Sequence, residues 1–283
     1  MLKPTVSVII PVYNDAEYLW EAINSVKKQT YTEWEIIIVD DGSDKKSTID
    51  IIDSIYDEKI KIIRTKNNGP SAARNIGIRE AKGKYILPLD ADDFIDATYI
   101  EKAIDIMEKD GDIGIVYCKA ELFGKRVGLW ELPEYNIGSM LIGNMIFVTS
   151  LFKKSDWECV GGFDETLKHG IEDYEFWLSL IELNIKVYMI PEVLFCYRIK
   201  ERSRNTNFSK KEEQLISTYR YIVKKHLRLY QENIENIIIE VKKQELERNA
   251  KIERIKRRIP LYEIISGNKL LKTIAKRIIK GII

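Results

Sequence analysis

The sequence predicts an α/β protein with a doubly wound, mostly parallel sheet and a C-terminal α-helical extension. Short β-branched apolar runs alternate with amphipathic helical segments through the first 90 residues, which is the order of parallel strands joined by right-handed crossover helices. After residue 209, helix formers dominate and apolar residues recur at helical spacing. Sheets of this kind bind ligands at the carboxyl ends of their strands, so functional residues are expected at that edge.

The alternation begins near the N-terminus. The runs VSVII (6–10) and EIIIV (35–39) suit strands buried on both faces. Between them lies a segment with apolar residues at helical spacing, namely Leu19, Ala22, Ile23 and Val26. The next predicted elements are a helix near 46–56, a strand at 59–63, a helix at 71–81 opened by Pro70 and Ser71, and a strand at 84–89.

The alternation is less regular from about Cys118 to Asn205, where we expect the second half of the same domain. This part contains a predicted helix over 172–183 and strand-like KVYMI and VLFCYRI. The predicted organisation is a domain over 1–205, with halves 1–118 and 119–205, followed by a basic helical extension over 206–283. The apolar stripe of the extension is Leu215, Tyr219, Ile222, Val223, His226, Leu227 and Tyr230.

Composition limits the class of protein. The chain has 283 residues, of which 45% are hydrophobic and 31% charged, enough for a large domain with its own core. The cysteines Cys118, Cys159 and Cys196 are far apart, so we expect no disulfide, no zinc site and a reducing cytoplasm. The first apolar run is interrupted by Pro11 and is too short for a signal peptide or a membrane span.

The net charge of +1 conceals an asymmetry. Residues 206–283 carry 19 lysines and arginines against 9 glutamates and no aspartate, whereas the rest of the chain is acidic.

The last segment, NKLLKTIAKRIIKGII, sorts into an apolar and a lysine face. Such a helix could lie on an anionic membrane surface, which would make a cytoplasmic protein peripheral on the inner face of the cell membrane. The alternative is a helix packed on the body or on another subunit of a homo-oligomer. Nucleic acid is not expected, because the tail lacks interleaved aromatic residues.

The stretch LPLDADDFID (87–96) ends a predicted strand with several carboxylates. Asp90 and Asp92 could together bind a hard divalent cation, which prefers oxygen ligands and shares its shell with phosphates. Chance is a serious alternative for one Asp-x-Asp. A second, Asp110 to Asp112, lies at a predicted turn where Asp and Gly are ordinary, and Asp96 is expected to cap the helix that begins near Thr98.

Polar groups follow the other predicted strands at the same edge, in PVYND (11–15) and DDGSD (40–44). Asp40 and Asp41 could accept hydrogen bonds from a base and a ribose, or could cap the following helix. Arg74 and Asn75, near a helix start, suit a diphosphate; the alternative for the arginine is a surface salt bridge.

A further acidic pair lies in GGFDETLKHGIEDYEFWLSL (161–180). Gly170 suggests a helix start that directs Glu172 and Asp173 into a crevice. A carboxylate there could remove the proton from an acceptor hydroxyl. The competing interpretation is the ordinary enrichment of acidic residues in the first turn of a helix.

Taken together, these motifs closely resemble the family 2 glycosyltransferases, which have the GT-A fold. The resemblance covers roughly residues 4–200 in the family's order. The matching stretches are VSVIIPVYN (6–14), VDDGSD (39–44), NNGPSAARNIGI (67–78), AKGKYILPLDADD (81–93), GGFDE (161–165) and EDYEFWL (172–178).

The resemblance implies an inverting transfer of one sugar from a nucleotide-diphosphate sugar, expected to be a UDP-sugar, to a hydroxyl of a glycan or lipid-linked acceptor in cell-surface polysaccharide biosynthesis. The half 1–118 would bind the nucleotide-sugar and the half 119–205 the acceptor. Pro11 to Tyr13 and Asp41 would hold the nucleobase, and Asp40 would support that pocket. The implied donor-binding residues are Pro11, Val12, Tyr13, Asp15, Asp40, Asp41, Arg74, Asp90, Asp93 and Lys200.

The resemblance also implies a metal ion and a base. Asp92, with Asp90 or Asp93, would bind Mg²⁺ or Mn²⁺ and the ribose. Asp173, in a Glu-Asp motif with Glu172, would be the catalytic base. The two acidic clusters should therefore converge in space, although they are distant in sequence.

The sequence departs from the family at one position and leaves other functions open. Many members have a histidine where this chain has Lys200, which puts a metal or phosphate contact from that position in doubt. The QxxRW signature of processive synthases is absent, which favours single-sugar addition. The alternatives are a non-catalytic sugar-nucleotide-binding scaffold and a metal-dependent nucleotidyltransferase or phosphatase. Specificity for the sugar and the acceptor is expected in Lys119 to Phe152.

Overall fold

The computed structural model describes residues 4–168, 170–200 and 212–258. These residues form two compact units: 4–136 with 143–232, and 137–142 with 233–258. The predicted domain boundary at 205/206 and the predicted amphipathic segment 268–283 lie outside the described residues, and both remain predictions.

Within the described residues of the larger unit, nine strands form one sheet. The strands are β1 (Val6–Val12), β2 (Trp34–Asp40), β3 (Ile60–Arg64), β4 (Tyr85–Pro88), β5 (Phe94–Ile95), β6 (Ile113–Gly124), β7 (Gly128–Trp130), β8 (Leu151–Lys153) and β9 (Lys186–Ile199). Their order across the sheet is β3-β2-β1-β4-β8-β6-β9-β5, and β7 pairs with β6 beside this path.

The two halves of the sheet differ in strand direction. β1 to β4 are mutually parallel, as the βαβ alternation predicts. In the second half, β8 is antiparallel to both β4 and β6, while β9 is parallel to β6 and antiparallel to β5. The predicted α/β class and the parallel first half are confirmed. The reversals come from strands of two or three residues, which are too short to show a periodicity.

Helices cover the sheet at the predicted positions. In α1 the four predicted apolar residues are all buried. A Cβ on Gly77 of α3 would lie 2.6 Å from Ile9 Cγ2, so glycine lets this helix pack closely on β1. The helices of the larger unit are α1 (Leu19–Lys27), α2 (Lys46–Asp53), α3 (Pro70–Glu80), α4 (Tyr99–Lys109), α6 (Lys154–Val160), α7 (Glu172–Ile181), α8 (Glu212–Lys225) and α9 (Leu227–Glu232).

The stripe predicted for the extension is only partly correct. Ile222 and His226 are buried, but Leu227 is 50% exposed and Leu229 is buried instead. The buried residues Ile222, His226 and Leu229 follow the i, i+4, i+7 spacing of one helical face. The His226 N–H donates to the Ile222 carbonyl and the Tyr230 N–H to the His226 carbonyl, so the helical pattern runs on from α8 (Glu212–Lys225) into α9 (Leu227–Glu232). Leu227 lies off the buried face.

The smaller unit consists of α5 (Ile137–Ile142) and α10 (Ile234–Arg258). These helices approach closely, because a Cβ on Gly138 would lie 2.6 Å from the backbone oxygen of Asn236. Along α10, several large apolar side chains are exposed, among them Ile234, Ile238 and Leu246. No helix in the described ranges is both long and apolar enough to cross a membrane.

Candidate functional site

A cavity of about 270 Å³ opens where β1 and β4 end, and we call it the strand-end cavity. Parallel neighbouring strands bring their carboxyl ends to one edge, so residues from PVYND, DDGSD and DADD meet there as predicted. The predicted site residues that line it are Pro11, Val12, Tyr13, Asp15, Asp41, Arg74, Asp90, Asp92 and Lys200.

Asp40, the last residue of β2, and Asp41, which follows it, make different contacts. Asp41 lines the cavity, and its two carboxylate oxygens accept hydrogen bonds from the backbone N–H groups of Asn68 and Gly69, at 3.0 and 2.8 Å. Burial raises the pKa of Asp41, and these two bonds offset only part of that effect. Asp40 lines no wall of this cavity; its Oδ1 accepts from the Ser43 N–H at 3.0 Å. Asp41 therefore fixes the loop that leads into α3.

Arg74 is the buried cation of the site and is only 2% exposed. It donates from Nη2 to Asp90 Oδ1 at 2.7 Å and from Nη1 to Glu172 Oε1 at 2.9 Å. Burial alone would lower the pKa of the Arg74 guanidinium, but the two carboxylates outweigh burial and raise it. The surface salt bridge considered from the sequence is thus replaced by a buried bridge between residues 98 positions apart.

Arg198 holds the DADD corner in place, a role that sequence reasoning missed. Its backbone N–H donates to Asp93 Oδ1 and its Nε to the Asp92 carbonyl, both at 2.8 Å. The guanidinium also lies over the rings of Tyr18 and Phe123, 3.7 and 4.3 Å from their centroids. Arg198 lies two residues before Lys200, in the stretch where this chain departs from the family.

Lys200 lies between two acidic side chains of the strand-end cavity. Its Nζ is 2.7 Å from Asp15 Oδ2 and 2.6 Å from Asp92 Oδ2. Burial by itself lowers the pKa of Lys200, but these two carboxylates raise it overall. Burial and the neighbouring Asp90 charge raise the pKa of Asp92, although Lys200 opposes them. The lysine thus partly neutralises a crowded acidic corner.

The predicted metal site can be judged from the side chains available to ligate an ion. Within the described residues, no group of three or more His, Cys, Asp or Glu side chains could hold an ion alone. Asp90 and Asp92 nevertheless both line the cavity and offer the oxygen ligands that Mg²⁺ and Mn²⁺ prefer. A cation beside them would offset the repulsion between the two carboxylates, which adds to burial in raising the pKa of Asp92. The pair fits an ion whose other ligands come from a bound phosphate compound and water.

A second cavity, of about 200 Å³, adjoins the first, and we call it the aromatic cavity. Its walls include Trp130, Phe147, Phe195 and Tyr197, and the predicted residues Asp93, Glu172 and Asp173 also line it. Arg74, Asp90 and Tyr197 line both cavities. The two acidic clusters therefore converge as predicted.

Asp173 is held at the start of α7. The preceding Ile171 has φ 56°, a left-handed conformation that costs a β-branched residue about 1–3 kcal/mol and directs the first turn of α7. Asn144 Nδ2 donates to Asp173 Oδ2 at 3.0 Å, and Asn144 Oδ1 accepts from the Ile146 N–H at 3.1 Å. Asn144 thus orients this carboxylate. Nothing in the sequence singled it out.

The expectation that Asn75 contacts a diphosphate is wrong. Asn75 is buried; its Nδ2 donates to the Phe163 carbonyl at 2.8 Å, and its Oδ1 accepts from the Phe163 N–H at 2.9 Å. Gly162, with φ 86°, leaves room for that amide, because a Cβ there would lie 2.6 Å from Asn75 Oδ1. Asn75 therefore ties the GGFDE loop to α3.

Behind Asp173, a polar network ties α7 to α8. Lys225 Nζ lies 2.7 Å from both Asp164 Oδ2 and Glu175 Oε1, and His226 Nε2 lies 3.1 Å from Glu175 Oε1. Burial raises the pKa of Asp164 and of Glu175, but hydrogen bonds that include those from Lys225 lower both overall. The network fixes the helix that carries Asp173.

The other aspartates discussed from the sequence, Asp96, Asp110 and Asp112, lie in turns outside the two cavities. Asp96 accepts from the backbone N–H and the hydroxyl of Thr98. The N-cap residue of α4 is Thr98 and no side-chain cap bond is made, so Asp96 forms the turn before the helix instead of the predicted cap. Asp110 and Asp112 form the predicted turn and pair with Lys186.

Comparison with known proteins gives the family. The sequence profile described as "Glycosyl transferase family 2" matches residues 7–158. An uncharacterized glycosyltransferase of Rickettsia typhi is 37% identical over 230 residues, covering 75% of this chain and 69% of that protein. The chondroitin synthase of Escherichia coli is 28% identical over 75% of this chain, which spans 31% of that enzyme.

Two solved structures share the fold. TarS 1–349 of S. aureus, in complex with UDP-GlcNAc, has a TM-score of 0.61 at 23% identity, covering 71% of this chain and 60% of that chain. The mannosyltransferase PcManGT of Pyrobaculum calidifontis, in complex with GDP-Man and Mn²⁺, also has a TM-score of 0.61, at 18% identity, covering 96% of this chain and 83% of that chain. These likenesses support the GT-A-like fold, and the profile and the rickettsial relative establish the family. The chain belongs to glycosyl transferase family 2 and is a sugar-transferring enzyme.

Proposed function

We propose that the protein is an inverting, metal-dependent glycosyltransferase that moves one sugar from a nucleoside-diphosphate sugar to a hydroxyl of a glycan or lipid-linked acceptor. The observation that carries this proposal is the shared wall of Arg74, Asp90 and Tyr197 between the two cavities. A donor in one cavity and an acceptor in the other would meet at that wall. Asp173 lies on the acceptor side, and Asp92 and Lys200 lie on the donor side.

The strand-end cavity suits the donor. Tyr13 is 49% exposed and offers a ring on which a base can stack, beside Pro11 and the fixed carboxylate of Asp41. Lys200 and Arg74 line the same cavity and can contact the diphosphate. We favour a UDP-sugar because TarS was solved with UDP-GlcNAc; the GDP-Man of PcManGT makes guanosine donors the necessary comparison.

The transfer step follows from the two acidic groups. Asp173 accepts the proton of the acceptor hydroxyl while that oxygen forms a bond to the anomeric carbon. The bond from the anomeric carbon to the phosphate oxygen breaks on the opposite face, which inverts the configuration. The nucleoside diphosphate leaves with the bonding electron pair, and Lys200 and Arg74 stabilise its negative charge. Mg²⁺ or Mn²⁺ held by Asp90 and Asp92 would supply further positive charge for the leaving group.

The basic segment 206–283 is proposed to hold the enzyme at an anionic membrane surface, where lipid-linked acceptors for cell-surface polysaccharides are found. Self-association through this segment is the competing proposal. Because Lys225 and His226 secure α7, a useful truncation removes only 259–283. Vesicle binding that persists unchanged in the truncated protein would contradict the membrane proposal, and a change in molar mass by light scattering would favour self-association.

The proposed activity is tested with a panel of UDP- and GDP-sugars, with and without Mn²⁺. A ligand that binds only the native state raises the melting temperature, so the donor is found first by thermal shift. Transfer and slow hydrolysis of that donor are then measured by nucleotide release. Asp92→Ala is expected to lose the Mn²⁺-dependent shift. A protein that binds a donor but neither transfers nor hydrolyses it would be the sugar-nucleotide-binding scaffold considered from the sequence.

A further inference from the structure

The aromatic cavity narrows the class of acceptor. We propose that the reacting acceptor is a neutral sugar ring that stacks on Trp130, and that Trp130 therefore determines acceptor specificity. This inference rests on the proposed function, since it concerns the second substrate of the same site. It would exclude acceptors whose reacting sugar is a uronate or carries a phosphate or sulfate.

The first argument is the shape of the wall. Trp130 lies 5.0 Å from the Tyr197 ring and 6.0 Å from the Phe147 ring, centroid to centroid. Phe147 in turn lies 4.5 Å from Phe195. These rings form a continuous apolar surface that suits the C–H face of a pyranose, whose hydroxyls can then point to polar groups at the edge. Asn144 and Asp173 line the same cavity and provide those groups.

The second argument is size. The aromatic cavity has about 200 Å³ and is smaller than the strand-end cavity, which has about 270 Å³. It therefore suits the single reacting ring of the acceptor. A longer acceptor would extend out of it into solvent.

The third argument is charge. Among the residues that the structure describes, the charged residues lining the cavity are Arg74, Asp90, Asp93, Glu172 and Asp173. Arg74 donates to Asp90 and Glu172, and its single positive charge is outnumbered by the four carboxylates of this lining. An anionic sugar would meet repulsion there.

The fourth argument is that Trp130 is held in place. It ends β7, where it pairs with Ala120 of β6, and its carbonyl accepts from the Leu132 N–H at 2.9 Å. The ring is backed by Tyr197 and Phe147. A fixed aromatic face loses little conformational freedom when a ligand stacks on it, so its removal should weaken binding directly.

The test uses methyl glycosides of neutral hexoses and N-acetylhexosamines, each paired with its uronate and its 6-phosphate. Binding to the full chain is measured by ligand-observed NMR in the presence of UDP and Mn²⁺. The neutral glycosides are expected to bind at least about 10-fold more tightly than their anionic partners. Trp130→Ala is expected to weaken that binding about 10-fold, while Trp130→Phe retains most of it.

The matched control is Trp20→Ala, since Trp20 is exposed on α1 and lines neither cavity. It should bind the glycosides as the unmodified protein does. The UDP thermal shift should be unchanged in Trp130→Ala, which also verifies that the variant is folded. Equal or tighter binding of the anionic glycosides, binding of none of the neutral ones, or no effect of Trp130→Ala would each overturn the inference. The absence of any thermal shift with UDP, GDP and their sugars in the unmodified protein would instead overturn the proposed function.

Discussion

The strand-end cavity and the aromatic cavity share a wall but are built in different ways. The first collects charged residues from loops that follow parallel strands, and most of its carboxylates are already paired or hydrogen-bonded, as Asp41 and Asp92 are. The second is lined by aromatic rings from β7, β9 and the segment before β8, with Asp173 at its end. The contrast teaches that electrostatic interactions dominate the proposed donor side, whereas the shape of an apolar surface dominates the proposed acceptor side.

The largest expected effect is a loss of sugar transfer without a loss of donor binding. Asp173→Asn removes the proposed base with little change in volume, so transfer should fall about 10³-fold. Donor binding, which depends on the other cavity, should remain. Product formation and the UDP thermal shift are measured side by side. Asp112→Asn, in the exposed turn before β6, serves as the control, and full transfer by Asp173→Asn would remove the base from that role.

The next effect should damage both cavities together. Arg74→Met leaves Asp90 and Glu172 without their shared cation, and an uncompensated buried charge is costly. The free energy of unfolding in urea should fall by about 3 kcal/mol, and donor binding should be lost. Arg79→Met is the control, because Arg79 is 56% exposed and pairs with Glu165 at 3.4 Å; it should change stability by less than about 1 kcal/mol. Equal effects of the two variants would refute a special role for the buried bridge.

A smaller effect is expected behind the aromatic cavity. Lys225→Ala removes the ammonium between Asp164 and the buried Glu175 and should lower the free energy of unfolding by about 2 kcal/mol. Lys224→Ala, on the exposed face of α8, should change it by less than about 0.5 kcal/mol.

The pH dependence of stability gives this variant a second measurement. The folded pKa values of Asp164 and Glu175 are lowered overall, so the unfolded state binds more protons in acid. The stability that these groups contribute is therefore present above pH ~4 and is lost as the pH falls below it. Lys225→Ala should lose less stability across that window. A wild-type slope in the variant would mean that Lys225 does not lower these pKa values.

The smallest effect should be confined to the strand-end cavity. Lys200→Met removes the ammonium that contacts Asp15 and Asp92, so the affinity for a UDP-sugar should fall about 10-fold. Binding of methyl glycosides should be unaffected. Lys46→Met, at an exposed position of α2, is the control, and titration by calorimetry provides the measurement. Unchanged donor affinity would show that Lys200 does not replace the family histidine in function.

The contrast between the cavities also explains what the sequence could predict. Asp41, Asp90 and Asp92 directly follow apolar runs, and the rule that ligands bind at strand ends is sufficient to bring them together. Trp130 and Asn144 come from the irregular segment before β8, where short strands and loops leave no periodic signal. Their contribution depends on tertiary packing that no local pattern encodes.

The predictions about two individual side chains, those of Asn75 and Leu227, were wrong. Asn75 follows an arginine that does line a cavity, but one residue along a helix turns a side chain by about 100°, and Asn75 faces the GGFDE loop. Leu227 was expected in the buried stripe, but the buried face passes through His226 and Leu229 instead, and the His226 ring contacts Glu175. In both cases, a buried polar side chain contacts a segment that is distant in sequence.

The salt bridges made by Arg74 link the binding of one substrate to the binding of the other. Its two terminal nitrogens hold Asp90, which lines both cavities, and Glu172, which precedes the proposed base. A diphosphate that also contacts this guanidinium would share its positive charge with Asp90 and Glu172, and would thereby change the electrostatic environment of carboxylates that face the other substrate. Occupation of one cavity then changes affinity in the other, and the coupling must be equal in both directions. The two substrates would thus bind cooperatively through one guanidinium, without any movement of a domain.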